Sequence, residues 1–124
     1  MTPPSVLLDR SFVDALTQPD HGSRVEAHRV YAVLVDGHEQ HELRIRARHD
    51  HLAKVPATLR DALLAPVAAI HVARQHRRQA ARLELPFEVD PDTAVTLVVL
   101  RRERIGRVAS FDPVFEQLDL AVHI

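Results

Sequence analysis

The chain has no cysteine, which excludes disulfides and thiolate metal sites and leaves the cytoplasm as the simplest expected address. It has no tryptophan, one tyrosine and four phenylalanines, so the aromatic platforms on which single-strand binders stack bases are poorly supplied. Three glycines in 124 residues leave no phosphate-cradling glycine loop and no Gly-x-Ser-x-Gly turn to raise a serine nucleophile. No apolar run approaches the ~18 residues that a membrane-spanning helix needs, so no membrane span is expected. The opening Met1-Thr2-Pro3-Pro4 lacks the basic segment and long apolar stretch of a signal peptide. Lysine is almost absent: of sixteen cationic residues, only Lys54 is not arginine. A net charge of -1 argues against coating nucleic acid by bulk electrostatics, while leaving room for local basic patches.

What is present is an ordinary globular composition, 46% hydrophobic and 27% charged. The length suits one domain over 1–124 that buries roughly two-thirds of its surface. Ser5-Val6-Leu7-Leu8-Asp9 reads as a fully buried strand ending in an acid. A short helical stripe over Ser11–Leu16 and a loop over Gln18–Ser23 follow. Val25–Val35 reads as an amphipathic helix with Val25, Ala32 and Val33 facing the core, along with Tyr31 or Leu34, and Gly37 as its stop. From Glu42 to Ala53 the period changes to two. Leu43, Ile45 and Ala47 alternate with Arg44, Arg46 and Arg48, which predicts a half-exposed strand whose arginines form a solvated face or an RNA contact. Ala57–Ala65 is a predicted short helix, Val67–Val72 a second apolar strand, and Arg74–Leu83 a basic helix. Asp90-Pro91-Asp92 opens a helix over Thr93–Arg102, apolar almost all round and hence buried. Arg107–Phe111 is a strand, Pro113–Leu118 a short helix and Ala121–Ile124 an edge strand. Such alternation predicts an α/β protein, a three-layer α/β/α sandwich around a mostly parallel sheet.

Three acids then share one kind of address. Asp9 closes the first strand, Asp112 follows the penultimate one at Phe111-Asp112-Pro113, and Asp92 sits in the first turn of the buried helix. Right-handed crossovers bring the ends of parallel strands to one edge, which is where open α/β sheets bind ligands. Each acid can cap a helix, hold a metal, or do both. Carboxylates gathered in one crevice repel one another unless a cation intervenes, and oxygen-only ligation suits Mg²⁺ or Mn²⁺. With phosphate as a further ligand, the set supports metal-assisted phosphodiester hydrolysis.

The residues around these acids resemble one known family. Asp9-Arg10-Ser11 after an apolar strand is similar to the opening Asp-x-Ser of PIN domains. Leu100-Arg101-Arg102, running through Ile105-Gly106 to Ala109-Ser110-Phe111-Asp112-Pro113-Val114-Phe115, resembles their closing segment. The resemblance implies a PIN-like fold and a Mg²⁺- or Mn²⁺-dependent endoribonuclease, with Asp9, Asp92 and Asp112 as metal ligands and Ser11 orienting Asp9. It implies an RNA substrate, an antitoxin-like protein partner whose tail fills the active-site groove, and a homodimer. Counting back from Phe111-Asp112 puts the third family acid at Thr93, one position from Asp92. The second family acid, a glutamate after the second strand, has no match. That region reads His49-Asp50-His51-Leu52-Ala53-Lys54-Val55, with Asp50 one turn early. A ligand set short of one charge attracts a hard cation less strongly, so the expected activity is weakened or altered. The alternative is a catalytically inactive PIN-like module that binds protein or RNA.

The remaining candidates carry less. His49/His51 and His38/His41 have no partner at a zinc-motif spacing. Ser11 and Ser110 lack the turn of a serine hydrolase. The basic residues that could hold RNA are Arg10, the Arg44/Arg46/Arg48 row, and Arg74, Arg77 and Arg78, a grip on phosphate that salt would weaken steeply.

Overall fold

Ser5-Val6-Leu7-Leu8 builds the central strand, because a run apolar at every position can be covered on both faces. The computed structural model describes residues 2–118 and 120–123. In chain order the elements are β1 (Ser5–Leu8), α1 (Arg10–Thr17), α2 (Arg24–Glu39), β2 (Arg44–Arg48), α3 (His49–Leu52), α4 (Ala57–Leu63), β3 (Val67–Ile70), α5 (Arg74–Ala81), α6 (Pro91–Arg102), β4 (Arg107–Ala109), a 3₁₀ helix (Pro113–Gln117) and β5 (Ala121–His123). The strands form one parallel sheet in the order β3-β2-β1-β4-β5. Val6 and Leu8 stand opposite Ile45 and Ala47 of β2, while Leu7 and Leu8 stand opposite Val108 and Ala109 of β4.

The pleat sorts the core into two clusters. Val6, Leu8, Ile45, Ala47 and Ala109 pack with Phe12, Leu16, Tyr31 and Leu34 on the face covered by α1–α4. Leu7, Val108 and Ile70 pack with Val95, Val99 and Phe115 on the face covered by α5, α6 and the 3₁₀ helix. The predicted three-layer sandwich is therefore present. Among the described residues, no helix is long and apolar enough to cross a membrane.

Several boundaries differ from the sequence expectation. Helix α2 runs on to Glu39 and carries Gly37 inside it instead of stopping there. Its buried face is Ala27, Tyr31, Leu34 and Gly37, whereas Val25 and Val33 are 84% and 68% exposed and Ala32 is also exposed. Tyr31 and Leu34, each expected as a core alternative, are both buried, and the stripe they form is too narrow to take in the valines. Tyr31 anchors that stripe by donating its hydroxyl to Leu63 O at 2.6 Å. Gly37 fills a contact, since a Cβ there would lie 2.9 Å from Leu43 Cδ2. Gly37→Ala should therefore fail to deliver the ~1 kcal/mol that alanine normally adds inside a helix. Urea denaturation showing that full gain would mean Leu43 yields freely.

Strand β2 stops at Arg48, where α3 begins at once, instead of running to Ala53. Its arginine face is also not solvated along its length: Arg44 is exposed, Arg46 is 17% exposed and paired with Glu103, and Arg48 is 1% exposed. The alternation is present, but α6 covers the second face, as helices do on both sides of a parallel sheet. β3 is a sheet edge, with Ala68 and Ala69 exposed. The last strand spans Ala121–His123, and Ile124 lies outside the described residues.

Candidate active site

Strand numbering rises outward from β1 to β3 on one side and jumps to β4 on the other. The gap between β1 and β4 is thus the switch point of the sheet, where a crevice opens at the carboxyl ends of the strands. Asp9 leaves β1 there and Ser110 and Asp112 leave β4 beside it. Asp9 N donates to Ala109 O at 3.2 Å, which holds the two strand exits together. Phe12 and Phe111 stack at 5.7 Å and 9°, clamping the exit of β4 onto α1.

Asp9 is the N-cap of α1, with Oδ1 accepting from Phe12 N at 3.0 Å and from Ser11 Oγ at 2.7 Å. Ser110 Oγ donates to Asp9 Oδ2 at 2.6 Å and accepts from Asp112 N at 2.9 Å. Ser11 Oγ also accepts from Phe111 N at 3.0 Å. These bonds lock the Asp9 carboxylate in place while it stays 6% exposed. Burial pushes its pKa above the ordinary aspartate value, and the nearby Asp112 charge adds to the rise; the serine and backbone hydrogen bonds work against it. Asp112 caps the 3₁₀ helix through Oδ1, which accepts from Val114 N at 3.0 Å. Among the described residues Asp112 Oδ2 accepts no hydrogen bond.

Asp92 enters from the first turn of α6, one residue inside Pro91 and two after the N-cap Asp90. All four predicted residues, Asp9, Ser11, Asp92 and Asp112, line one cleft of about 170 Å³, together with Arg10, Asp14 and His21. Asp14 is one turn beyond Ser11 on α1, a helical spacing that marks it in the sequence once Asp9 and Ser11 are singled out. A larger groove of about 1050 Å³, lined by Arg77, Leu85, Phe87 and Pro91 among others, shares Asp92 with that cleft.

Asp92 differs from the other two acids in being surrounded by positive charge. Arg48 Nη1 lies 3.1 Å from Asp92 Oδ1 and donates to Asp92 O at 2.9 Å and to Thr96 Oγ1 at 3.0 Å. Its Nε and Nη2 donate to the two oxygens of Asp50 at 3.0 and 2.5 Å. His51 Nε2 donates to Asp92 Oδ1 at 3.1 Å, and Arg10 stands 3.8 Å from Asp92 Oδ2. Partial burial alone would raise the Asp92 pKa, yet the His51 hydrogen bond and the Arg48 and Arg10 charges hold it below the ordinary value. Asp50 is held low in the same way, burial being outweighed by the hydrogen bonds and charge of Arg48. A strand continued to Ala53 would set His49 and His51 on one face. They lie instead on α3, where His51 is buried. Arg48, expected in a solvated face or an RNA contact, is instead buried against Asp50 and Asp92, since alternation says which side of a strand a residue takes but not what covers that side.

The donor chemistry fits a hard divalent cation at the switch point: Asp9 is oriented by two serines, Asp112 has an oxygen that accepts no hydrogen bond among the described residues, and both offer oxygen alone. No family model matches the sequence, and no curated protein does. Among solved structures, the crystal structure of VapC20 from Mycobacterium tuberculosis, described as a sarcin-ricin loop cleaving toxin, superposes with a TM-score of 0.68 over 93% of this chain and 98% of that one. At 18% identity the likeness is one of fold. The parallel sheet ordered β3-β2-β1-β4-β5, its two helical layers and this superposition together give the chain a PIN-like α/β/α fold.

Proposed function

We propose that the protein is a PIN-type, Mg²⁺- or Mn²⁺-dependent endoribonuclease. The observation that supports this most is the convergence of Asp9, Ser11, Asp92 and Asp112 on one cleft at the sheet's switch point. Asp9 and Asp112 hold the ion, with Asp92 contributing from the start of α6. A bound divalent ion would supply charge stabilisation at a phosphodiester and acidify a water for hydrolysis. The protein's own residues set the geometry: Ser11 and Ser110 fix the Asp9 carboxylate, and the Phe12–Phe111 stack fixes Asp112 relative to it. Arg10 and Arg77, half exposed and beside Asp92 and Asp50, meet phosphates of an RNA strand lying across the cleft. The toxin described for the similar structure suits this reading, and the reading extends to an antitoxin-like partner covering the groove, a homodimer and a cytoplasmic setting.

A specific observation favours a second reading: Arg48 and Arg10 already stand against Asp92 as fixed cations, and His51 Nε2 takes its Oδ1, which weakens the pull on a metal ion and suits a PIN-like module that binds RNA or protein without cutting. One experiment separates the two. Purified protein should cleave structured RNA in Mn²⁺, stop in EDTA, and lose activity in Asp112→Asn. Binding that persists with no cleavage at any metal concentration would favour the module. Binding itself should weaken steeply between 50 and 200 mM salt, as expected (about tenfold or more) for several phosphate contacts.

A further inference from the structure

Asp50, His51 and Asp92 each present a ligand atom, and those atoms lie within 4.8 Å of one another. Oxygen and imidazole donors so spaced would suit a divalent ion. The guanidinium of Arg48, however, already stands among them. It takes both oxygens of Asp50, the backbone oxygen of Asp92 and Thr96 Oγ1, with Asp92 Oδ1 at 3.1 Å, from a side chain only 1% exposed.

We propose that Arg48 is a resident cation that bars a metal ion from the Asp50/His51/Asp92 cluster, so the protein carries a single divalent ion, on the Asp9–Asp112 side of the cleft. The inference rests on the metal-binding reading above and deepens it. A guanidinium stays protonated at any working pH and cannot make room by losing its charge, as a lysine could. Its planar fork matches the Asp50 carboxylate. An ion entering the cluster would have to displace a buried fork whose bonds to Asp50, Asp92 and Thr96 are all made, and then sit against its positive charge. His51 agrees with this arrangement. Its Nε2 carries the proton given to Asp92, so that nitrogen has no lone pair to offer a metal, while Nδ1 is buried without a partner among the described residues.

Titration calorimetry with Mn²⁺ tests the inference on three proteins: wild type, Asp50→Asn and Arg48→Met, each checked for folding by circular dichroism. Wild type should bind one ion. Asp50→Asn should bind one with affinity changed less than about twofold, because Asp50 is no ligand; loss of a true ligand or its close support costs roughly tenfold or more. Arg48→Met, which keeps the volume and removes the charge, should bind two. The inference is overturned if wild type binds two ions, if Asp50→Asn weakens binding by about tenfold, or if folded Arg48→Met still binds one. Should Arg48→Met fail to fold, the wild-type stoichiometry and Asp50→Asn decide. Wild type binding no ion would remove the metal-dependent nuclease reading, whereas an ion gained by Arg48→Met would even then uphold the role of Arg48.

Discussion

Asp9→Asn is expected to abolish Mn²⁺-dependent RNA cleavage and, at neutral pH, to make the metal-free protein more stable. The two effects share one cause. Asp9 is 6% exposed, and burial is the main reason its pKa is raised. A carboxyl whose folded pKa lies above its unfolded one contributes stability that is fully present below the unfolded pKa and lost as pH rises through the folded pKa. The ionised group at pH 7 is thus a charge that the fold tolerates for function. An amide keeps the local bonds. Its oxygen can accept from Phe12 N and Ser11 Oγ as Asp9 Oδ1 does now, and asparagine caps helices as well as aspartate. Its NH₂ can donate to Ser110 Oγ, whose own proton can turn to Ser11 Oγ, 3.2 Å away. Cleavage should fall by roughly a hundredfold or more, the scale on which an active site loses rate with a key electrostatic group. The melting temperature in EDTA should rise by a few degrees, corresponding to about 1 kcal/mol, and the gap should close as pH falls toward 4. Mn²⁺ should raise the melting temperature of the wild type and much less that of the variant. A variant less stable than wild type at pH 7 would mean that the hydrogen bonds from Ser11 and Ser110 outweigh the cost of burying the charge.

Three of the four acids that line the cleft are legible in the sequence because each stands next to a backbone signal. Asp9 follows an apolar run and precedes a helical stripe, Asp92 follows Asp-Pro, and Asp112 precedes a proline. Strand ends and helix starts are local events, and parallel topology then gathers them at one edge. Arg48 is not legible. Its place in the Arg44/Arg46/Arg48 row is clear, but the difference between the exposed Arg44 and the buried Arg48 is made by α6, more than forty residues away in the chain. Nor is the buried stripe of α2, where the choice of Leu34 over Val33 depends on how the helix rolls against α1 and β2. Gly37 reads as a stop because glycine usually costs helix stability; here a leucine from β2's approach occupies the space a side chain would fill. Tertiary packing overrides propensity at each of these positions.

Arg48→Ala should be among the most destabilising substitutions in the protein, at roughly 3 kcal/mol, the lower end of the range for breaking a buried pair. The lower end applies because Asp50 and Asp92 are 35% and 29% exposed, so water can reach them once the guanidinium is gone. The loss has three parts: the void beneath α6, the lost hydrogen bonds to Thr96 Oγ1 and Asp92 O, and two carboxylates left facing each other with no fixed cation between. Arg48→Lys should recover little, since one ammonium cannot reach both oxygens of Asp50 while also serving Asp92 and Thr96. Arg48→Met should lie between wild type and alanine, because it fills the void without the charge. The pH dependence separates charge from packing. Asp50 and Asp92 have pKa values held below the ordinary one, so their contribution is present above the unfolded value near 3.9 and lost as pH falls through the lowered folded values. The gap between wild type and Arg48→Met should therefore shrink in acid, while the gap between Arg48→Met and Arg48→Ala, which is packing alone, should persist. Urea midpoints measured at pH 7 and at the acid end would show it. Equal gaps at both pH values would mean that Arg48 supports the fold by its volume and not by its charge.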